Sequence, residues 1–248
     1  MTPPPDPHAS SSANPFAATT GVEIKMTVRG DQEMKAVRLF RLDRSLAEER
    51  SIYFFDARKL TLFDNGLILR ARQLKDGADD STVKMRPVEP TKVASEWTKE
   101  DGFKLEADVI GPKIIRTASL GHPRKRGEIK DVAAGARKIK ELFSKRQETF
   151  IETFCPITVG LGDLHVLGPI EALRWQFKSP KLSSEITAEE WHIPDGTDLL
   201  ELSIKVDPKD ALKARDEFEK FLRDAGVANE GVQEAKTRVA LKFFASRL

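Results

Sequence analysis

Two short segments place cations two residues apart within runs of strand-forming residues: Arg70 and Arg72 in GLILRAR, Lys84 and Arg86 in STVKMR. In a β-strand, residues i and i+2 project from the same face. Leu67, Leu69 and Ala71 therefore form an apolar side, and the two guanidiniums a charged one. Such a chain must expose the charged faces to water or close them around an anion, because unpaired buried charge costs several kcal/mol per ion. A single pair reads as a solvated face. Two consecutive pairs, beside a third strand that alternates charge, favour an enclosed site. That third strand spans 21–29, GVEIKMTVR, with Glu23 and Lys25 on one face and Val22, Ile24 and Met26 on the other.

The pattern predicts eight strands, at 21–29, 51–56, 67–73, 80–86, 103–111, 170–177, 185–193 and 199–206. The turn at Asp76-Gly77 joins two of them as a hairpin. A helix is expected from Asp31 through 49, with Met34, Val37 and Phe40 at helical spacing. A second runs from Asp131 through 147, burying Ile139, Leu142 and Phe143. A third is begun by Asp207 and Pro208, lined by Ala211, Leu212, Phe218 and Leu222, and stopped by Gly226. A last helix carries Val232, Ala235, Val239 and Phe243. Residues 149–170 receive no firm assignment. The basic segment HPRKR (122–126) reads as a solvated loop, or else as a contact for an acidic partner. Eight strands with polar and apolar faces predict an α+β fold: a closed eight-stranded antiparallel β-barrel with a polar interior and helices packed outside.

At 248 residues and 40% hydrophobic content, one core is affordable, and no Pro- or Gly-rich linker divides 21–248. Residues 1–20, rich in Pro, Ser and Ala, are expected to form a disordered tail. A net charge of +2 does not advertise nucleic-acid binding over the whole surface, and no specific nucleic-acid partner is expected. No apolar run approaches the ~20 residues of a membrane span, and the N-terminus lacks signal-peptide features. The lone Cys155 in an apolar setting reads as a core thiol and fits a reducing compartment. A cytoplasmic protein is expected; the oligomeric state is left open.

The side chains that share strand faces are the cations Lys25, Arg70, Arg72, Lys84, Arg86, Arg174 and Lys205. The carboxylates are Glu23, Glu106, Asp108, Glu201 and either Glu189 or Glu190. Guanidinium forks match phosphate oxygens, while Mg²⁺ takes one or two carboxylates, water and phosphate oxygens. Mixed signs in one tunnel thus point to a metal-chelated polyphosphate. Other chemistries find little footing. His8, His122, His165 and His192 show no metal-ligand spacing, no P-loop is present, and Trp97, Trp175 and Trp191 read as packing.

The ordered set Glu23-x-Lys25, YFFD, LRAR and TVKMR resembles the CYTH, or triphosphate tunnel metalloenzyme, superfamily over roughly 21–248. The family's opening motif is Glu-x-Glu-x-Lys, and Gly21 stands where its first Glu is expected. Ser203 likewise stands where a later Glu-x-Glu strand would carry its second Glu, after Glu201. The resemblance implies a tunnel that binds a triphosphate group on its cations, with Mg²⁺ or Mn²⁺ as cofactor. It implies catalytic roles for Lys25 and Glu23, and phosphate contacts from Arg70, Arg72, Lys84, Arg86, Arg174 and Lys205. Metal contacts are implied for Glu23, Glu106, Asp108 and Glu201. Lys236, in EAKTRV, resembles a late family lysine at the tunnel mouth, although its local pattern reads as a surface helix lysine.

Two functions follow. One is metal-dependent hydrolysis of inorganic triphosphate or a triphosphate-bearing organic molecule. The other is a non-catalytic polyphosphate- or nucleotide-binding module, suggested by Gly21 and Ser203. Cyclic-nucleotide synthesis, also found in the superfamily, ranks below hydrolysis because no base-reading residues can be identified.

Overall fold

A computed structural model describes residues 14–28, 30–227 and 236–248. The strands are β1 (Gly21–Val28), β2 (Glu48–Asp56), β3 (Leu67–Leu74), β4 (Asp79–Met85), β5 (Phe103–Ile110), β6 (Lys113–Arg124), β7 (His165–Ser179), β8 (Leu182–His192) and β9 (Asp198–Val206). The helices are α1 (Asp31–Leu39), α2 (Thr61–Asp64), α3 (Glu128–Ala133), α4 (Lys145–Phe154), α5 (Ala211–Asp224) and α6 (Lys236–Ala245). The strands close in the order β1-β5-β6-β4-β3-β2-β7-β8-β9. β1 seals the ring, antiparallel to β9 and parallel to β5.

The barrel therefore has nine strands and is mixed, where eight antiparallel strands were expected. The additional strand is β6, KIIRTASLGHPR, which pairs with both β4 and β5. Its last residues, His122 to Arg124, belong to the segment read as a basic loop. The outer cations of that segment are used locally: Arg126 donates to the carbonyls of Leu74 and Lys75, each at 2.8 Å.

Outward faces of the strands carry the core. Val22 and Ile24 of β1 pack with Ala211, Phe218 and Leu222 of α5. Leu67, Leu69 and Ala71 of β3, all at most 1% exposed, pack with Phe150 and Ile151 of α4, as the alternation predicts. Trp97 fills this layer, edge-on to Phe150 at 5.6 Å. A third apolar cluster lies at one end of the barrel interior, where the inward-facing Phe54, Ile68 and Trp191, with Leu199, meet Ala240 and Leu241 of α6.

Several boundaries differ from the sequence expectation. α1 ends at Leu39, not 49, and Glu48 and Arg50 already lie on β2. On α1 it is Ala36 that is buried, while Met34 is exposed. The expected 131–147 helix is broken into α3, a 3₁₀ turn at Ile139–Leu142, and α4. Gly135, at φ +75°, takes a left-handed conformation that a continuous helix cannot contain. Ser144 restarts it by accepting a hydrogen bond from the Gln147 amide. α5 begins at Ala211, three residues past Pro208, because Asp207 and Asp210 close a turn first. Val232 and Ala235 lie outside the described residues. Part of the expected tail is ordered: Phe16 is buried, and Thr20 donates its amide to the Leu105 carbonyl at 2.7 Å.

The YFFD motif also has a structural role. Buried Asp56 accepts hydrogen bonds from the Leu62 and Phe63 amides at 2.9 Å each, holding the first turn of α2. That fixes Phe63, whose ring lies 6.0 Å from the Arg86 guanidinium. Gly66 then lets the chain turn back closely, since a Cβ there would meet the Arg86 carbonyl oxygen at 2.2 Å.

Candidate functional site

The inward faces enclose a cavity of about 970 Å³. Lys25, Glu23, Arg70, Arg72, Lys84, Arg86, Glu106, Arg174, Glu201 and Lys205 all line it. Asp108 lies beneath the surface, 2% exposed. Every site residue suggested by strand spacing is thus in or directly under one cavity, because the closed sheet turns all these faces inward.

The charges are not equivalent. Asp108 is held by Lys25 at 2.9 Å, by Lys84 at 3.3 Å and by the Thr117 hydroxyl at 3.3 Å. Burial opposes its charge, yet Lys25 and Lys84 hold its carboxyl well below the ordinary range. Lys25 also contacts Glu23 at 3.0 Å. Burial alone would lower its pKa, but Glu23 and Asp108 push it well above the usual lysine value. Lys25 is therefore a fixed cation, and Asp108 is engaged in anchoring lysines. Burial opposes the charge of half-buried Glu23, but Lys25 and Lys205 keep it below its usual value. Its carboxylate accepts from the Ser203 hydroxyl at 3.3 Å.

A second cluster occupies the β8–β9 wall. Glu189 and Glu201 stand directly opposite each other in register, an arrangement that is destabilising without a cation. Lys236 supplies it, contacting Glu201 at 3.3 Å and Glu189 more closely. Lys236 is only 6% exposed, which corrects the surface reading. Its ammonium also lies 4.6 Å from the Trp191 ring centroid. Despite burial, Lys236 and Arg50 draw Glu189 down to about 2. The choice left open between Glu189 and Glu190 is settled for the cavity: Glu189 faces inward, while buried Glu190 contacts Arg44 and His192 outside it. With Asp198, Glu190 and His192 form a cluster that their sequence spacing did not suggest.

Arg50 lines the cavity and Glu48 pairs with it; sequence reasoning missed both, since Glu48 fell within the expected first helix and Arg50 between that helix and the strand expected at 51–56. Their i, i+2 spacing is the same signal carried by Arg70 and Arg72. Arg50 bonds Glu189 at 3.3 Å and also pairs with Glu48, which Arg174 approaches at 3.8 Å.

Arg70 and Arg86 differ from the other cations. Arg72 is neutralised by Asp80 at 2.8 Å, whereas no carboxylate lies within ion-pair distance of Arg70 or Arg86 among the described residues. Arg70 reaches only the Thr82 hydroxyl, at 3.4 Å, and its buried Nε has no hydrogen-bond partner. Burial, with help from Arg72, lowers its pKa to about 10, and burial also lowers that of Arg86. Such donors are satisfied by an anion with several acceptor oxygens.

The cavity also meets the modest demands of a hard divalent ion, which needs one or two carboxylates alongside water and phosphate oxygens. Glu23, Glu106 and Glu201 present carboxylates to it. A Cβ at Gly21 would make ordinary contact with the Glu106 side chain, at 3.9 Å.

No family model and no curated protein matches this chain in sequence. Solved structures match its fold. One is a candidate adenylyl cyclase from Hippeastrum with a dominant triphosphatase activity: TM-score 0.62, 16% identity, covering 89% of this chain and 94% of that one. Another is a candidate adenylate cyclase from Bacillus halodurans: TM-score 0.59, 11% identity, covering 88% and 98%. The likeness is one of fold: a closed barrel with helices packed outside. No described helix is long and apolar enough to cross a membrane.

Proposed function

We propose that this chain binds a triphosphate or short polyphosphate in its barrel and, with Mg²⁺ or Mn²⁺, hydrolyses a phosphoanhydride bond. The observation that carries the reading is the buried Nε of Arg70, which has no hydrogen-bond partner, on a guanidinium facing a cavity also lined by Arg72, Lys84 and Arg86. A phosphate chain, with two or three non-bridging oxygens on each phosphorus, would supply the missing acceptor, and guanidinium forks suit it. The triphosphatase activity of the Hippeastrum protein lends support by analogy of fold.

In this reading Lys25, fixed as a cation by Glu23 and Asp108, orients phosphate oxygens along the β1 wall. Arg70, Arg72, Lys84 and Arg86 grip the chain from β3, β4 and the residue that follows β4. Glu23, Glu106 and Glu201 would hold the metal, while Asp108 keeps Lys25 and Lys84 in place. A bound divalent ion would lower the pKa of an attacking water and offset charge on the phosphates. Hydrolysis joins the water oxygen to the terminal phosphorus and breaks the bridging P–O bond. The electron pair departs with the shorter phosphate, and a carboxylate such as Glu23 takes the proton.

A binding module without turnover is the second reading, favoured by Gly21 and Ser203 in place of carboxylates. Nucleotide cyclisation has less support, because Phe54 and Trp191, the Phe and Trp side chains of the lining, are packed away from solvent. Phosphate release from tripolyphosphate, thiamine triphosphate and nucleotides, with each metal, tests the enzyme. Tight metal-free binding with no release from any of them would favour the module.

A further inference from the structure

One strongly basic surface lies outside the barrel. Residues 124–146, from the last residue of β6 to the first turn of α4, hold nine Lys and Arg against three Asp and Glu, in a chain whose totals are 41 and 39. Two of those carboxylates are engaged locally: Arg137 meets Glu128 at 2.8 Å and Glu141 at 3.8 Å, and Arg124 reaches Glu128 at 4.0 Å. Arg124 also donates to the Glu141 carbonyl at 3.2 Å, which ties the basic strap after β6 to the 3₁₀ turn. Lys125, Lys130, Lys138 and Lys140 are exposed and form no ion pair among the described residues. Asp131 is the one carboxylate of the segment left to offset them.

Two of these lysines border a groove. A cavity of about 600 Å³ opens between the end of α3, the 3₁₀ turn and the start of β7. Buried Val132 and half-buried Ile139, Leu164 and Val166 form its floor, continuous with the apolar layer packed on α4. Lys138 and Lys140, with half-buried Arg137, form its rim. Ile139 sits between the two lysines, so one short stretch supplies both floor and rim.

We propose that this face docks an acidic peptide segment of a partner protein, with one or two apolar side chains in the groove and flanking carboxylates on Lys138 and Lys140. An apolar anchor in a pocket supplies most of the energy of such a contact, while rim charges select and steer the partner. Lys125 and Lys130, on the adjoining strap and on α3, add to the positive field that attracts it. A nucleic acid fits less well: the groove is lined by no Phe, Tyr or Trp on which bases could stack, and a phosphate backbone would leave the apolar floor unused. A bilayer surface takes apolar side chains that project into it, whereas here they are recessed beneath exposed lysines. The inference is independent of what the barrel binds.

Selection of displayed random peptides against the full chain, followed by calorimetry of the enriched sequences, tests the proposal. Enriched peptides should place Asp or Glu on both sides of a Leu, Ile or Val. Lys138→Glu combined with Lys140→Glu should weaken them at least about tenfold, and changing the apolar residue of the peptide to Ser should cost a similar factor. Both lysines are exposed, so the double variant keeps its fold. Arg70→Met, inside the barrel, should leave peptide affinity unchanged, which separates this face from the phosphate site. No enrichment, enriched peptides without acidic residues, or affinity indifferent to the apolar residue would overturn the proposal. So would binding that survives the double lysine variant or falls with Arg70→Met, since the peptide would then occupy the barrel. Oligouridylate and phosphatidylserine vesicles are the competing arms. Tighter binding of either than of the best peptide, lost in the same double variant, would assign the face to RNA or membrane and overturn the peptide reading.

Discussion

Replacing Arg70 with methionine should move stability and ligand binding in opposite directions. The substitution keeps the length of the side chain and removes its charge and its orphaned Nε. In the free protein that nitrogen is buried without a partner, a deficit worth about 1–3 kcal/mol. The fall of the guanidinium pKa from 12.5 to about 10 reports the same penalty, about 3 kcal/mol at ~1.4 kcal/mol per tenfold. The two figures overlap and are not additive. Because the folded pKa is depressed for a base, the charged form is disfavoured by folding at every pH below about 10. Arg70→Met should therefore stabilise the free protein by about 1–3 kcal/mol, or roughly 2–10 °C for a chain of this size. Loss of charge-assisted contacts worth about 1.5–3 kcal/mol should weaken triphosphate binding by tenfold to a hundredfold or more. A thermal-shift titration reads both, since the ligand-induced shift follows RT ln(1 + [L]/Kd). A variant that melts lower without ligand and shifts as much as wild type with it would refute the reasoning. Arg70 would then be a structural residue and not an anion donor.

Three further outcomes follow from the geometry. Restoring carboxylates with Gly21→Glu and Ser203→Glu should weaken metal-free triphosphate binding and increase its dependence on Mg²⁺ in calorimetry; unchanged metal dependence would count against these positions as ligand sites. Lys236→Met leaves Glu189 and Glu201 facing each other without their cation and should destabilise the fold by about 3 kcal/mol or more in chemical denaturation. Adding Glu189→Gln should recover part of that loss, and a silent Lys236→Met would mean the lysine is not needed there. Burial, with Asp198 and Glu190, raises Glu33 on α1 to about 7, against an opposing effect of His192, while Arg44 neutralises part of Glu190. For an acid raised in the folded state, the stabilising contribution is complete below its unfolded value of 4.5 and is lost as pH rises through about 7. Melting temperature between pH 5 and 8 should fall less steeply in Glu33→Gln than in wild type, and parallel profiles would exclude the coupling.

What the sequence determined by itself was the sidedness of its strands. The period of two fixes which residues share a face, so Arg70 with Arg72, and Glu23 with Lys25, were legible without any partner strand. The same regularity exposed the apolar backs at Val22, Ile24, Leu67 and Leu69, and hence a barrel rather than a layered sheet. Local spacing was weaker where the chain changes structure. Glu48 follows a helical segment and looked like part of it, and Arg50 fell between that segment and the next expected strand. β6 ends in Gly121, Pro123 and a basic cluster, and only pairing on both edges, with β4 and β5, makes it a strand. The parallel contact of β1 with β5 joins segments some eighty residues apart, for which no local signal exists.

Charge pairing was decided by tertiary structure alone. Asp108 could not be told from Glu23 or Glu106 as a metal ligand until closure brought Lys25 and Lys84 onto it from different strands. Lys236 has the surroundings of a surface helix in sequence, and becomes a buried counter-ion because Glu189 and Glu201 face each other where α6 docks. The unsatisfied state of Arg70 is likewise a property of the closed barrel. Electrostatic energy depends on distance and dielectric, and both are set by how the ring closes and not by which residues neighbour one another along the chain.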